Sequence, residues 1–231
     1  MADLQPTERT RVRRLPGRAK FDRGTIDAIL DEGIVCHLGF VHADHPVVIP
    51  TLYARSGDVI YLHGSTASRM LRTLSRGVDA CLTVTLLDGL VLARSSFHHS
   101  ANYRSVVVFG PARLLVDDAE RLAALEALSE HVLPGRWADA RRPNALELRA
   151  TTLLAMPLEE ASAKIRTGPP IDDEDDYDLD VWAGVIPLRM HALAARPDPR
   201  LRPGIQTPAY VGSYVGPMSR RGRGEAPGSD G

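Results

Sequence analysis

Short apolar stretches alternate with turn residues along the chain, and the spacing of the apolar positions switches between a helical and an extended period. Over residues 25–32, Ile26, Ile29 and Leu30 share one helical face, and Gly33 is expected as a left-handed stop. Residues 34–40 follow as an apolar, β-branched strand, 42–45 read as a turn, and 47–53 resume the extended pattern as a hairpin partner. Pro50 lies inside that second strand. Proline gives a ladder no N–H, so the strand must be at an edge or bulged there, which leaves backbone groups free.

Ser56-Gly57-Asp58 is a turn, 59–63 a third strand, and 66–75 a helix that turns Met70, Leu71 and Leu74 inward and ends at Gly77. Residues 80–87 and 90–95 flank Asp88-Gly89, a hairpin signal because both residues tolerate positive φ. A long strand over 103–116 is expected to bend at Gly110-Pro111. Asp117 to Glu120 resembles a capping box, and Leu122, Leu125, Leu128 and Val132 give the next helix an apolar stripe ending near Pro134-Gly135. A short helix over 144–149, a strand over 151–166 interrupted at Pro157, and a loop from Gly168 through the acidic run 172–176 complete the pattern.

The strands between residues 34 and 116 are joined by turns too short for parallel crossovers. The order of elements predicts an α+β, mainly β, antiparallel barrel with flanking helices. It divides into a basic arm over 1–20, a domain over 21–195, and a Pro/Gly/Arg-rich extension over 196–231. The last stretch of that extension, about fifteen residues, lacks the apolar surface that offsets ordering entropy and is expected to be disordered.

Composition adds exclusions. Hydrophobic residues make up 44% and charged residues 25% of the 231, ordinary globular usage. No apolar run is long enough to span a bilayer and the start lacks a secretory pattern, so a cytoplasmic protein without membrane association is expected. Cys36 and Cys81 each sit in an apolar run and read as reduced core thiols, not a disulfide or a metal site. The net charge of −1 hides a basic front of Arg9, Arg11, Arg13, Arg14, Arg18, Lys20 and Arg23. Without interleaved aromatics this reads as a solvated arm or a strap across a dimer partner, and nucleic acid is not an expected partner. No serine elbow, catalytic carboxylate pair, Walker loop or metal-spaced Cys/His cluster is present, so hydrolase and nucleotidase chemistry has no residues to carry it.

One stretch does carry candidate chemistry. His63-Gly64-Ser65-Thr66-Ala67-Ser68-Arg69 sets a glycine, three hydroxyls and an arginine where a strand passes into a helix. Free amides, hydroxyls and a guanidinium suit a phosphate. An ordinary Ser/Thr helix cap beside a surface arginine explains the same residues equally well.

The wider set of motifs resembles the pyridoxamine 5'-phosphate oxidase-like flavoproteins, in the branch with the nitroimidazole-resistance reductases. It comprises Val47-Val48-Ile49-Pro50-Thr51, the stretch from Tyr61 to Arg69, Asp88 to Ser95, Phe97 to Val106, Pro134-Gly135-Arg136-Trp137, Ser162 to Gly168, and Trp182 to Pro187. The resemblance covers residues 20–190 in order. It implies an FMN-binding split β-barrel, Greek-key-like, assembled as a homodimer with one flavin in each of two grooves between protomers. It further implies phosphate contacts from Ser65, Ser68 and Arg69 beside His63, and places Ile49, Pro50 and Thr51 along the flavin ring, where backbone groups tune its potential.

The same resemblance brings the region of His98 and His99 to the groove as candidates for proton delivery or substrate contact. Adjacent strand residues face opposite ways, so one of the two at most is expected to do so. Lys164 and Arg166 share one strand face and, with Trp182, are expected near the partner's cofactor, where positive charge favours a reduced, anionic flavin. The alternatives are surface ion pairs with the acidic run and a core tryptophan. Arg104 reads as an anchor for a loop or carboxylate. Beyond residue 190 the arginine and histidine pattern that grips pyridoxamine phosphate is missing, so pyridoxal phosphate synthesis is not expected.

The functional expectation is an FMN-dependent oxidoreductase taking electrons from NADH, NADPH or another donor and passing them to a small molecule. The alternative is a protein that holds flavin, deazaflavin or haem without turnover. A DNA-associated regulator using the basic arm is a third reading.

Overall fold

The computed structural model describes residues 3–215. The stretch expected to be disordered at the C-terminus lies almost wholly outside them. Helix α1, Arg23–Glu32, is capped by Asp22, whose side chain accepts the N–H of Thr25 at 2.8 Å, and it buries Ile26, Ile29 and Leu30. Gly33 ends it with φ −70°, so the expected left-handed stop is not formed. A side chain there is instead excluded by space, because a Cβ would lie 2.5 Å from Val84 Cγ1 and 2.7 Å from the Tyr53 hydroxyl.

Among the described residues, ten strands follow one another as β1 Ala19–Lys20, β2 Val35–His42, β3 His45–Ser56, β4 Val59–Ser65, β5 Asp79–Leu92, β6 Ser100–Pro111, β7 Arg113–Leu114, β8 Thr151–Pro157, β9 Glu160–Arg166 and β10 Gly184–Pro187. The other helices are α2 Arg69–Leu74, α3 Asp118–Val132, α4 Arg136–Asp139, α5 Ala145–Ala150 and α6 Ala209–Gly212. The strands pair in the order β1-β9-β6-β5-β2-β3-β4-β8-β7, with β10 added to β5, and every pairing is antiparallel. The sheet curls around one core, where Leu38, Leu62, Leu82, Val106 and Met156 from five strands meet Ile26 of α1 and Leu71 of α2. It does not close. This is the α+β antiparallel plan that the element order predicts, in the split-barrel form that the family resemblance implies.

Three expectations change in detail. Asp88-Gly89 is not a hairpin turn: β5 runs unbroken through it, with a register shift against β6 between Leu87 and Gly89. Glycine suits the position because β10 pairs beside it so closely that a Cβ would lie 3.0 Å from the Ile186 carbonyl. Asp117 caps α3 as expected, but Leu122 is exposed, and Ala124 with Leu128 forms the buried stripe over Ala54, Leu153 and Ala155. The basic arm is not a free solvated segment. Arg9 pairs with Asp79 and Glu160 and lies over the Phe109 ring, Leu4 donates to the Phe21 carbonyl, and the arm lies along its own barrel.

Other readings stand. Cys36 and Cys81 are free thiols, and burial pushes the Cys36 thiol up to about 12, outside reactive range. Arg104 forks onto both Glu32 and Asp88, with contacts of 2.6 and 2.8 Å that join α1 to the β5 irregularity. Those carboxylates raise its pKa further. No helix among the described residues is long and apolar enough to cross a membrane.

Candidate functional site

The site begins with the parity of two prolines. The β2–β3 hairpin turns through Ala43 and Asp44, both at positive φ, so the closing pair His42 and His45 exchanges hydrogen bonds. From there the pattern alternates, and Pro46 and Pro50 both fall where the nitrogen faces away from β2. That direction is toward β4. The opposite hairpin pairs β3 with β4 from Ser56 and Val59 up to Tyr53 and Leu62, and there the ladder stops.

Continuing the register would set Leu52 opposite His63 and Pro50 opposite Ser65, but neither pair is made. Pro50 has no N–H for the Ser65 carbonyl, which accepts the N–H of Ser68 at 2.9 Å instead. Beyond Tyr53, β3 stays with β2 while β4 stays with β8, whose pairing runs to Ser65 and Thr151. The two strands part into a groove. The expectation of an edge position at Pro50 is thus met without a bulge.

Ile49 and Thr51 spend their backbone groups on β2, and the Ile49 side chain packs against the core. The backbone facing the groove belongs to Val48, Pro50 and Leu52. Val48 and Leu52 escaped the sequence reading, although the shared parity of Pro46 and Pro50 is the signal that finds them.

The far wall carries the hydroxyl cluster. Helix α2 starts at Arg69, three residues later than expected, so its six residues give little dipole and an anion would rely on side chains. Ser68 Oγ accepts the N–H of Leu71 at 3.4 Å and Ser65 Oγ that of Ala67 at 3.2 Å. Each hydroxyl keeps its own proton to donate. Arg69 is exposed, and the Thr66 N–H binds the Ala150 carbonyl, fastening the loop to the end of α5. His63 is half-buried, its Nδ1 is shielded without a hydrogen-bond partner, and burial lowers its pKa, so the ring is neutral at neutral pH.

The remaining predicted residues form a second group. Among them, Lys164 and Arg166 lie on β9, which three strands separate from β3 in the order of the sheet. Arg166 is buried, donating to the Asn102 side chain and to the carbonyls of Gly168 and Pro169, not to the acidic run. Burial, with Arg18 nearby, lowers its pKa. Lys164 lies on the same face, half-buried. Trp182 does not close the core: it is 67% exposed and folds over Gly184.

His98 lies in a short turn with Nε2 3.3 Å from Asp173, while His99 Nδ1 accepts the N–H of Ala93 at 3.0 Å. Asp172, hidden within the acidic run, is a further residue that the sequence did not single out. Its buried carboxylate accepts the N–H groups of Arg94 and Ser95 and the Arg94 guanidinium, which stacks on Tyr177.

A family model described as pyridoxamine 5'-phosphate oxidase matches residues 22–165, and the chain belongs to that family. Within it, the chain is similar to the flavocytochrome Anf3 from Azotobacter vinelandii, with 42% identity, a TM-score of 0.85, and coverage of 90% of this chain and 97% of that one. It is also similar to the FAD and heme binding protein from Mycobacterium smegmatis, at 37% identity and a TM-score of 0.83 over 86% of this chain and 98% of that one. A candidate 5-nitroimidazole antibiotic resistance protein from Bacteroides thetaiotaomicron shares the fold, at 21% identity and a TM-score of 0.55 over 64% and 86% of the two chains. No match was found among the curated proteins compared with it.

Proposed function

We propose that this protein is a flavin-binding redox protein that also carries haem, and that the flavin lies in the groove between β3 and β4. The observation that carries the reading is the parting of those strands, which sets free backbone groups beside a loop of hydroxyls ending in Arg69. Two relatives of 42% and 37% identity, one a flavocytochrome and the other an FAD and heme binding protein, favour haem as the second group. Ser65, Ser68 and Arg69 would hold the flavin phosphate, whether of FMN or FAD, and Val48, Pro50 and Leu52 would border the ring. A bound flavin supplies hydride and single-electron chemistry. For haem iron a neutral imidazole is required, and His63, kept neutral by burial, meets that condition.

We further propose a homodimer. The outer face of β2 and β3 leaves Val35, Val41, Val48 and Leu52 exposed beside the groove, apolar side chains that a second copy would cover. Lys164, Arg166, Trp182, His98 and His99 would then approach the partner's cofactor. The cytoplasm is the proposed compartment, and NADH or NADPH the proposed electron donor.

The test is to purify the protein, supply FMN, FAD and haemin, and record absorption spectra and the mass of what is retained. Flavin and Soret bands are expected, with bleaching of the flavin band on rapid mixing with NADH or NADPH. A protein that retains no flavin ends the reading. One that retains flavin but is not reduced by either nucleotide is a carrier, or is served by another donor.

A further inference from the structure

The β3–β4 ladder ends after Tyr53 and Leu62 although both strands continue. Leu52 and His63 stand one register step beyond the last pair, Tyr53 and Leu62, on strands that run together for the preceding four residues. Two further hydrogen-bonded rungs would ordinarily form, because unpaired strand edges are costly away from water. The second rung meets Pro50. Its ring replaces the N–H and its nitrogen faces β4, so the Ser65 carbonyl finds no donor and turns to Ser68.

We propose that Pro50 is a positioning residue: it holds the β3–β4 groove open and fixes its hydrogen-bond pattern as a lone carbonyl between two residues that each offer N–H and C=O. Without it, β3 zips onto β4 through Leu52 and His63, then through residue 50 and Ser65, and the groove is filled by the protein's own backbone. Pro46 has the same parity but plays no such part. Its register partner on that side would be Arg69, past the end of β4 at Ser65 and already inside α2. The two prolines are therefore chemically alike and differ in consequence.

The inference rests on the flavin reading only for what the groove receives, and its test does not depend on it. Amide hydrogen exchange is measured residue by residue on the ligand-free protein, the Pro50→Ala variant and the Pro46→Ala variant. In the unsubstituted protein the Leu52 and His63 amides exchange readily while Thr51, bonded to β2, is protected. Pro50→Ala slows Leu52 and His63 by about tenfold each, the scale of one net hydrogen bond, and leaves Thr51 unchanged. Pro46→Ala alters none of them.

Where flavin binds the unsubstituted protein, Pro50→Ala binds it more weakly and Pro46→Ala binds it equally. Protection of Leu52 already present in the unsubstituted protein overturns the proposal, even if Pro50→Ala fails to fold. So does a folded Pro50→Ala variant whose amides exchange as before. Failure of the unsubstituted protein to bind flavin removes the functional reading and leaves the exchange result standing.

Discussion

Asp172 accepts the main-chain N–H of Arg94 at 3.0 Å, and the side chain of Asp172 is wholly out of water. With Ser95 N–H at 3.2 Å and the Arg94 guanidinium at 3.3 Å, the carboxylate is surrounded by donors. This contact fastens the acidic segment to the turn that holds His98. Burial alone would raise the Asp172 pKa, but the two amides and the guanidinium outweigh it and the net shift is downward. The sign follows. A carboxyl lowered on folding adds stability above its unfolded pKa of 3.8, and that stability is lost as pH falls through the lower folded value. Asp172→Ala is expected to lower the melting temperature at neutral pH and to open residues 168–182 to limited proteolysis. The difference in melting temperature from the unsubstituted protein should shrink below the ordinary carboxylate range. A constant difference down to strongly acid pH would assign the loss to packing.

Gly33 makes a steric prediction. Its backbone is ordinary, yet a methyl group would strike Val84 Cγ1 and the Tyr53 hydroxyl, which donates to the Leu30 carbonyl at 2.6 Å. Gly33→Ala is expected to cost about 1–3 kcal/mol, the usual price of overpacking, read from urea denaturation. A neutral or stabilising substitution would mean that α1 and β2 have room to separate.

His63 makes a prediction of the opposite kind. Its pKa is lowered from 6.5 by burial, so the unfolded chain takes up its proton first as pH falls. The stability present above pH 6.5 is then lost progressively down to the folded value. His63→Gln, which cannot titrate, should show a shallower fall in melting temperature over that window. Parallel curves for the two proteins would show that the ring is hydrated and titrates normally.

How much of this was legible beforehand depends on range. The hairpin at Ala43-Asp44, the cap at Asp117 and the break at Pro157 are set by neighbours in sequence, and local patterning finds them. Gly33 and Gly89 looked like conformational glycines because glycine tolerates positive φ. Both are in fact spatial, facing Val84 and Ile186 from distant strands, and nothing local announces such a contact. The groove was half visible: Pro50 marked an edge, but which backbone groups it freed depended on the register of two hairpins at once. Asp172 was hidden within a run of acids, since only the fold decides which one is buried. The second group of candidates, from His98 to Trp182, lies far along the chain from the first, and local patterning does not relate the two.

Arg69 provides the sharpest test of the phosphate end. It is exposed, stands beside the hydroxyls of Ser65 and Ser68, and belongs to a helix too short to bind an anion by its dipole. Its guanidinium should therefore supply most of the charge that a flavin phosphate meets. Arg69→Ala is expected to weaken FMN binding by about 1.5–3 kcal/mol, the scale of a charged hydrogen bond, while leaving riboflavin, which has no phosphate, bound as before. Arg69→Lys keeps the charge but loses the planar fork and should fall between the two. Titration of each variant with both flavins, followed by fluorescence quenching, separates the outcomes. An equal loss for FMN and riboflavin would place Arg69 against the ring or in the fold, and an unchanged FMN affinity would move the phosphate elsewhere.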